Sequence, residues 1–125
     1  MFCASGLDKD KTKQNQAQVY EHVTVNEGNC FDEATGVFTA PVTGAYAFSA
    51  SVESNSVDVE VCSHIMTDDN CHAVMEGDFR EKSFCTLVPL KRNQSVWMKA
   101  VSPVDKYRTI LWFNSLYCFL VQAEP

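Results

Sequence analysis

Four soft donor side chains crowd one short stretch of the chain: Cys62, His64, Cys71 and His72, all within eleven residues. Such donors hold zinc when their spacing allows. Structural zinc sites usually begin with a close cysteine pair, however, and here the two sulfurs stand nine positions apart. Between them lies an oxygen-rich turn, Asp68-Asp69-Asn70, followed by Glu76 and Asp78. Calcium takes six or more oxygen ligands, so the candidate metal residues are Asp68, Asp69, Glu76 and Asp78, and calcium is the cofactor this stretch raises. Asp and Asn are also ordinary turn-formers, and that plainer reading carries more weight.

Catalytic constellations are harder to find. The three histidines, His22, His64 and His72, have no serine or cysteine elbow beside them, and no Gly-rich phosphate loop is present. The expectation is a protein that is not an enzyme. Ligand chemistry is better served by the stretch SPVDKYRTILWFN at 102–114, where Lys106, Tyr107 and Arg108 can hydrogen-bond polar ligands and Trp112 can stack on a sugar ring. The competing reading places Ile110 to Phe113 in the core or an interface. Asn93-Gln94-Ser95 is a glycosylation sequon.

What positions these residues is a series of short strands. Val19, Val23 and Val25 alternate with polar neighbours, as do Ala45 to Val52, Val57 to Val61 and Val96 to Ala100. Turn signals separate them: NEGN at 26–29, EATG at 33–36, TDDN at 67–70 and KRNQ at 91–94. Residues 1–7 and Thr86–Leu90 read as further strands, and a last one runs to about Val121. Residues 8–18, DKDKTKQNQAQ, lack any apolar stripe and read as a solvated loop. Residues 73–82 follow neither period. Many short strands at regular spacing mean a sandwich or barrel.

The 125 residues form one domain, 1–125, with 46% hydrophobic and 21% charged residues. Folding hides about two-thirds of such a chain's surface, so a core forms without obligatory disulfides. The net charge of −6 disfavours nucleic acid and anionic membranes as partners. The longest apolar run, Leu116 to Val121, is too short to span a membrane. MFCASGL is no signal peptide, so a secreted form is expected with its leader already removed. Five glycines exclude a collagen-like stalk within these residues.

A family becomes visible in residues 19–52. Tyr20 is followed six positions on by Asn26, five on by Phe31, seven on by Phe38, six on by Gly44, then by Tyr46 and Phe48 at two each. This ladder, with VNEG, FDEATGVFTAPV and GAYAFS between, resembles the signature of the globular C1q domain. FCASGL, LKRNQSVWMKA and LYCFLV resemble that family's first strand, penultimate hairpin and closing strand. Tyr20 stands where the family usually has Phe, Ala50 where it has an aromatic and Cys118 where it has Gly, and residues 73–83 do not reproduce the calcium-binding turn of some members.

The resemblance implies an all-β, ten-stranded antiparallel jelly-roll sandwich of the C1q/TNF-like type and a homotrimer. It implies secretion, and a lectin-like role in innate immunity: recognition of microbial polysaccharide, lipopolysaccharide or other glycans. The alternative is a ligand for a cell-surface receptor, or an extracellular or synaptic organiser. The ladder residues Tyr20, Phe31, Phe38, Gly44, Tyr46 and Phe48 would build the core and turns. Complement chains carry a cross-hairpin disulfide near Cys62 and Cys71. Strict register through TDDN puts Cys62 opposite Met75 and keeps the two apart; a wider loop joins them. Cys3 and Cys118, on neighbouring first and last strands, are a second candidate pair. Finally, LYCFLV is apolar on both alternating faces. Leu116, Cys118 and Leu120 can meet the core, which leaves Tyr117, Phe119 and Val121, joined by Leu87, to meet a neighbouring subunit.

Overall fold

The computed structural model describes residues 1–53, 60–68, 70–78, 81–101 and 115–124. Ten strands appear among them: β1 Phe2–Leu7, β2 Tyr20–Asn26, β3 Phe31–Asp32, β4 Val37–Thr39, β5 Gly44–Glu53, β6 Glu60–Thr67, β7 Cys71–Asp78, β8 Glu81–Leu90, β9 Ser95–Ala100 and β10 Ser115–Ala123. They make two five-stranded antiparallel sheets, ordered β2-β1-β10-β5-β8 and β3-β4-β9-β6-β7. This is a jelly roll. Among the described residues no helix is long and apolar enough to cross a membrane.

The two sheets meet through aromatics. Phe38, fully buried on β4, packs tilted against Phe2 and edge-on to Tyr46 and Phe48, with ring centroids 5.4, 5.6 and 5.9 Å away. Phe2 and Phe31 stack at 4.1 Å. Offset and edge-on arrangements satisfy the ring quadrupoles and add to the burial gain. Tyr20 is buried as well. The Tyr46 hydroxyl donates to the Val42 carbonyl at 2.6 Å and accepts the Val42 N–H at 3.3 Å; burial raises its pKa, which the accepted backbone N–H only partly offsets. Asn26 acts as a side-chain strand partner: its Nδ2 donates to the Phe31 carbonyl and its Oδ1 accepts the Phe31 N–H.

Three local expectations change. Residues 8–18 are not simply solvated, because residues 15–18 run beside β9. The Ala100 N–H donates to the Gln16 carbonyl at 2.9 Å and the Gln18 N–H to the Met98 carbonyl at 2.7 Å. Gln18 is buried, donating to Ser63 Oγ at 2.8 Å and accepting from the Tyr20 hydroxyl at 3.2 Å. A glutamine enters a core only when both ends of its amide are partnered. Of residues 73–82, which follow no period, 73–78 belong to β7 and 81–82 start β8. Gly44 serves no turn: a Cβ there would lie 2.4 Å from the Gln122 carbonyl oxygen, so glycine is required by the close approach of β10. Gly36 does supply a turn at φ +75°.

Candidate functional site

The first sheet shows its site on the side away from the core. Side chains alternate along a strand, and antiparallel partners share a face. The outward residues therefore form transverse rows. One row reads Cys85, Ser49, Tyr117, Cys3 and Val25, from β8 across to β2. The next reads Leu87, Ala47 and Phe119. Beyond them Pro89, Ala45 and Gln122 align, and on the other side Ser83, Ser51, Ser115 and Ser5. Ser51 and Ser115 are hydrogen-bonded through their hydroxyls.

No charged residue stands in these four rows across β8, β5, β10 and β1, although the chain carries a net charge of −6. The face is uncharged and open, and its large apolar side chains gather in the middle rows and along β10. Leu87 is 62% exposed, Phe119 52%, Val121 53% and Tyr117 43%. Each such side chain is worth about 1.5–3 kcal/mol when fully buried, so roughly half of that is left unrealised on each. Within these four rows the central strand β5 carries only small residues, Ala45, Ala47, Ser49 and Ser51, which keeps the middle of the face low. Edge strand β8 carries Pro89, whose missing N–H suits an edge.

The cysteines sort by face. Cys118 looks into the core opposite Phe2 and Phe48, and burial pushes its thiol up to about 12. Cys3 lies opposite Tyr117 on the outward face, so the proposed Cys3–Cys118 bond is corrected: the two side chains leave opposite sides of the sheet, and both are free thiols. The Cys62–Cys71 bond is corrected too. Cys62 pairs with Glu76 and Cys71 with Met66, and Cys71 is a free, exposed thiol. Four positions along a strand separate the cysteines, roughly 13 Å, beyond the reach of a disulfide.

The acidic residues do not converge. Asp68 sits exposed at the β6–β7 tip, accepting the Ser95 N–H at 3.4 Å. Glu76 and Asp78 lie far along β7, opposite Cys62 and Glu60. Extended backbone thus separates Asp68 from Asp78 by most of a strand. No group of three or more His, Cys, Asp or Glu arranged for a metal occurs among the described residues. Asp69, Lys106, Tyr107, Arg108 and Trp112 lie outside the described residues. Asn93 is exposed in the turn after β8, at φ +73°, its N–H donated to the Ala40 carbonyl.

A second feature went unnoticed in the sequence. Two adjoining clefts of about 240 and 340 Å³ share Gly44, Pro89 and Glu124 at the end of the sandwich where β5 begins and β8 and β10 end. Thr43, Lys91 and Gln94 add polar groups. Three distant segments contribute to the clefts, so no sequence spacing announces them. The outward row of small residues on β5 was readable, in the alternation of GAYAFSAS, as a surface made for close approach.

Comparison with known proteins places this architecture. The C1q domain profile matches residues 2–120, and the chain belongs to the C1q domain family. It is 30% identical over 93 residues to human complement C1q tumor necrosis factor-related protein 3, covering 70% of this chain and 38% of that protein. It is 31% identical over 85 residues to mouse complement C1q tumor necrosis factor-related protein 6, covering 65% and 32%. The chain thus spans about a third of the length of these curated relatives. Among solved structures, the globular domain of zebrafish complement 1qA superposes with a TM-score of 0.77 at 14% identity over 98% of this chain and 97% of that one. Pika GITRL superposes with 0.64 at 10% identity over the whole of both. At these identities the likeness is one of fold.

Proposed function

We propose that the chain is a secreted, non-enzymatic recognition module that works as a homotrimer and binds microbial surface glycans. The observation that supports assembly is the uncharged, half-exposed apolar face of the first sheet. Depletion of charge with retained aromatics is the composition of an interface core. In a protein of net charge −6, a second copy is repelled by most of the surface and not by this face. Three copies around one axis would cover Tyr117, Phe119, Val121 and Leu87.

The sandwich-end clefts favour a polar, hydroxyl-bearing ligand. Glu124 offers an acceptor, and Lys91 and Thr43 offer donors, around an open floor. A single shallow site of this kind binds weakly, and three linked copies raise the avidity on a repeating polysaccharide. Names among the relatives, complement C1q tumor necrosis factor-related proteins, support a second reading, in which the trimer is a ligand for a cell-surface receptor. A glycan array and a bacterial agglutination assay, each with and without calcium, separate the two. Glycan binding and agglutination are expected. Silence in both, alongside saturable binding to cells, overturns the first reading in favour of the second.

A further inference from the structure

The row Cys85, Ser49, Tyr117, Cys3 places two thiols on the assembly face at one level along the strands. Both are free, Cys85 exposed and Cys3 partly so. Within one chain they are three strand spacings apart, roughly 14 Å, and a disulfide needs Cα atoms about 4.4–6.8 Å apart. Neither can therefore close on the other within one subunit. Cys118 is buried on the far side of the sheet and Cys71 belongs to the other sheet. Among these thiols, only Cys3 and Cys85 share an outward row.

The exposed stripe Tyr117, Phe119 and Val121 runs along β10. A three-fold axis that buries it runs along the same direction, so rotation carries each transverse row onto itself at the same height. A closed ring is built from heterologous contacts, in which one patch meets a different patch on the next copy. The β8 edge of one copy then abuts the opposite end of the next copy's sheet, where the row runs through Cys3 on β1 to Val25 on β2. Resting on the homotrimer reading above, we propose that Cys85 of one copy forms a disulfide with Cys3 of the next, closed three times around the ring. The oxidant is a low-molecular-weight disulfide such as oxidised glutathione. One protein thiolate attacks it to give a mixed disulfide and one reduced glutathione, and the second protein thiolate displaces the other. Two thiol protons and two electrons leave the protein, and two glutathione thiols form. The bond makes the trimer covalent in an oxidising environment and reversible under reduction.

The test uses the whole chain incubated with oxidised glutathione. Sedimentation gives the native mass and non-reducing denaturing electrophoresis gives the covalent state. The proposal expects a three-chain native mass and a covalent ladder ending at three chains. The ladder should be lost completely in Cys3→Ser and in Cys85→Ser, each keeping the three-chain native mass, and should persist in Cys71→Ser. A three-chain mass with no covalent species overturns the cross-link and leaves the assembly standing. Covalent dimers that survive either Cys3→Ser or Cys85→Ser overturn the pairing in favour of like-with-like bonds. A single-chain mass before and after oxidation overturns the assembly and the cross-link with it.

Discussion

The outward faces of the two sheets are built from the same kind of strand and carry opposite messages. On the second sheet, one row runs Asp32, Val37, Trp97, Met66 and Cys71, and the next holds Lys99, His64 and Val74. Charged, aromatic and aliphatic side chains are mixed there, as on any wet protein surface. The four outward rows of the first sheet from Pro89 to Ser83 hold no charge across β8, β5, β10 and β1, the Glu53–Glu81 pair lying beyond them, and they carry a bare stripe of Tyr117, Phe119 and Val121. Hydrophobicity alone does not separate them, since Trp97 and Val74 also stand on the second sheet's outer side. Removal of charge does, because a buried interface tolerates an apolar atom anywhere and an unpaired charge almost nowhere.

That difference can be broken by substitution. Phe119→Asp places a charge in the middle of the bare face and is expected to lower self-association at least a hundred-fold, seen as a single-chain mass in sedimentation at micromolar protein, with the fold retained by circular dichroism. Phe38→Ala, between the sheets, should cost about 3–5 kcal/mol in denaturant unfolding, because Phe38 is fully buried and touches aromatics from both sides. Gln18→Ala should cost about 1–3 kcal/mol by removing the buried hydrogen bonds from Gln18 to Ser63 and from Tyr20 to Gln18. Val74→Asp, on the second sheet's exposed side, should change neither native mass nor stability by more than about 0.5 kcal/mol.

The thiols sharpen the comparison by pH and reagent. The Cys118 pKa is raised from 9.0 to about 12 by burial. Its contribution to stability is fully present below the unfolded value and is lost as pH rises through the folded one, so stability should fall across the alkaline range from about 9 to about 12. A thiol reagent at neutral pH should label the exposed Cys71 of the second sheet first. Cys85 should react slowly in the assembled protein and quickly in Phe119→Asp, while Cys118 should react only on unfolding.

Much of the fold was legible because the aromatic ladder fixes which residues meet between the sheets. Phe31, Phe38, Tyr46 and Phe48 come from three strands, β3, β4 and β5, yet converge on one packed cluster. The exposed face was legible for a related reason: LYCFLV has no polar side to give to water. What escaped the sequence depends on contacts between distant segments. Gln18 looked like solvent-facing polar chain, and only the approach of Ser63 and Tyr20 makes its burial tolerable. The role of Gly44 lies in the path of β10, seventy-odd residues later. The cysteine pairings failed for two reasons: Cys71 pairs with Met66, four positions along β6 from Cys62, with no wider loop to join them, and Cys3 and Cys118 leave opposite faces of their sheet. The sandwich-end clefts join Thr43, Lys91 and Glu124, and nothing in their spacing links them.

The central claim is that the uncharged face of the first sheet holds three copies together. Sedimentation equilibrium of the reduced protein across a range of micromolar concentrations tests it most directly. The account predicts the mass of three chains for the unaltered protein and for Val74→Asp, and of one chain for Phe119→Asp. A single-chain mass for the unaltered protein, or a three-chain mass that Phe119→Asp leaves intact, contradicts it.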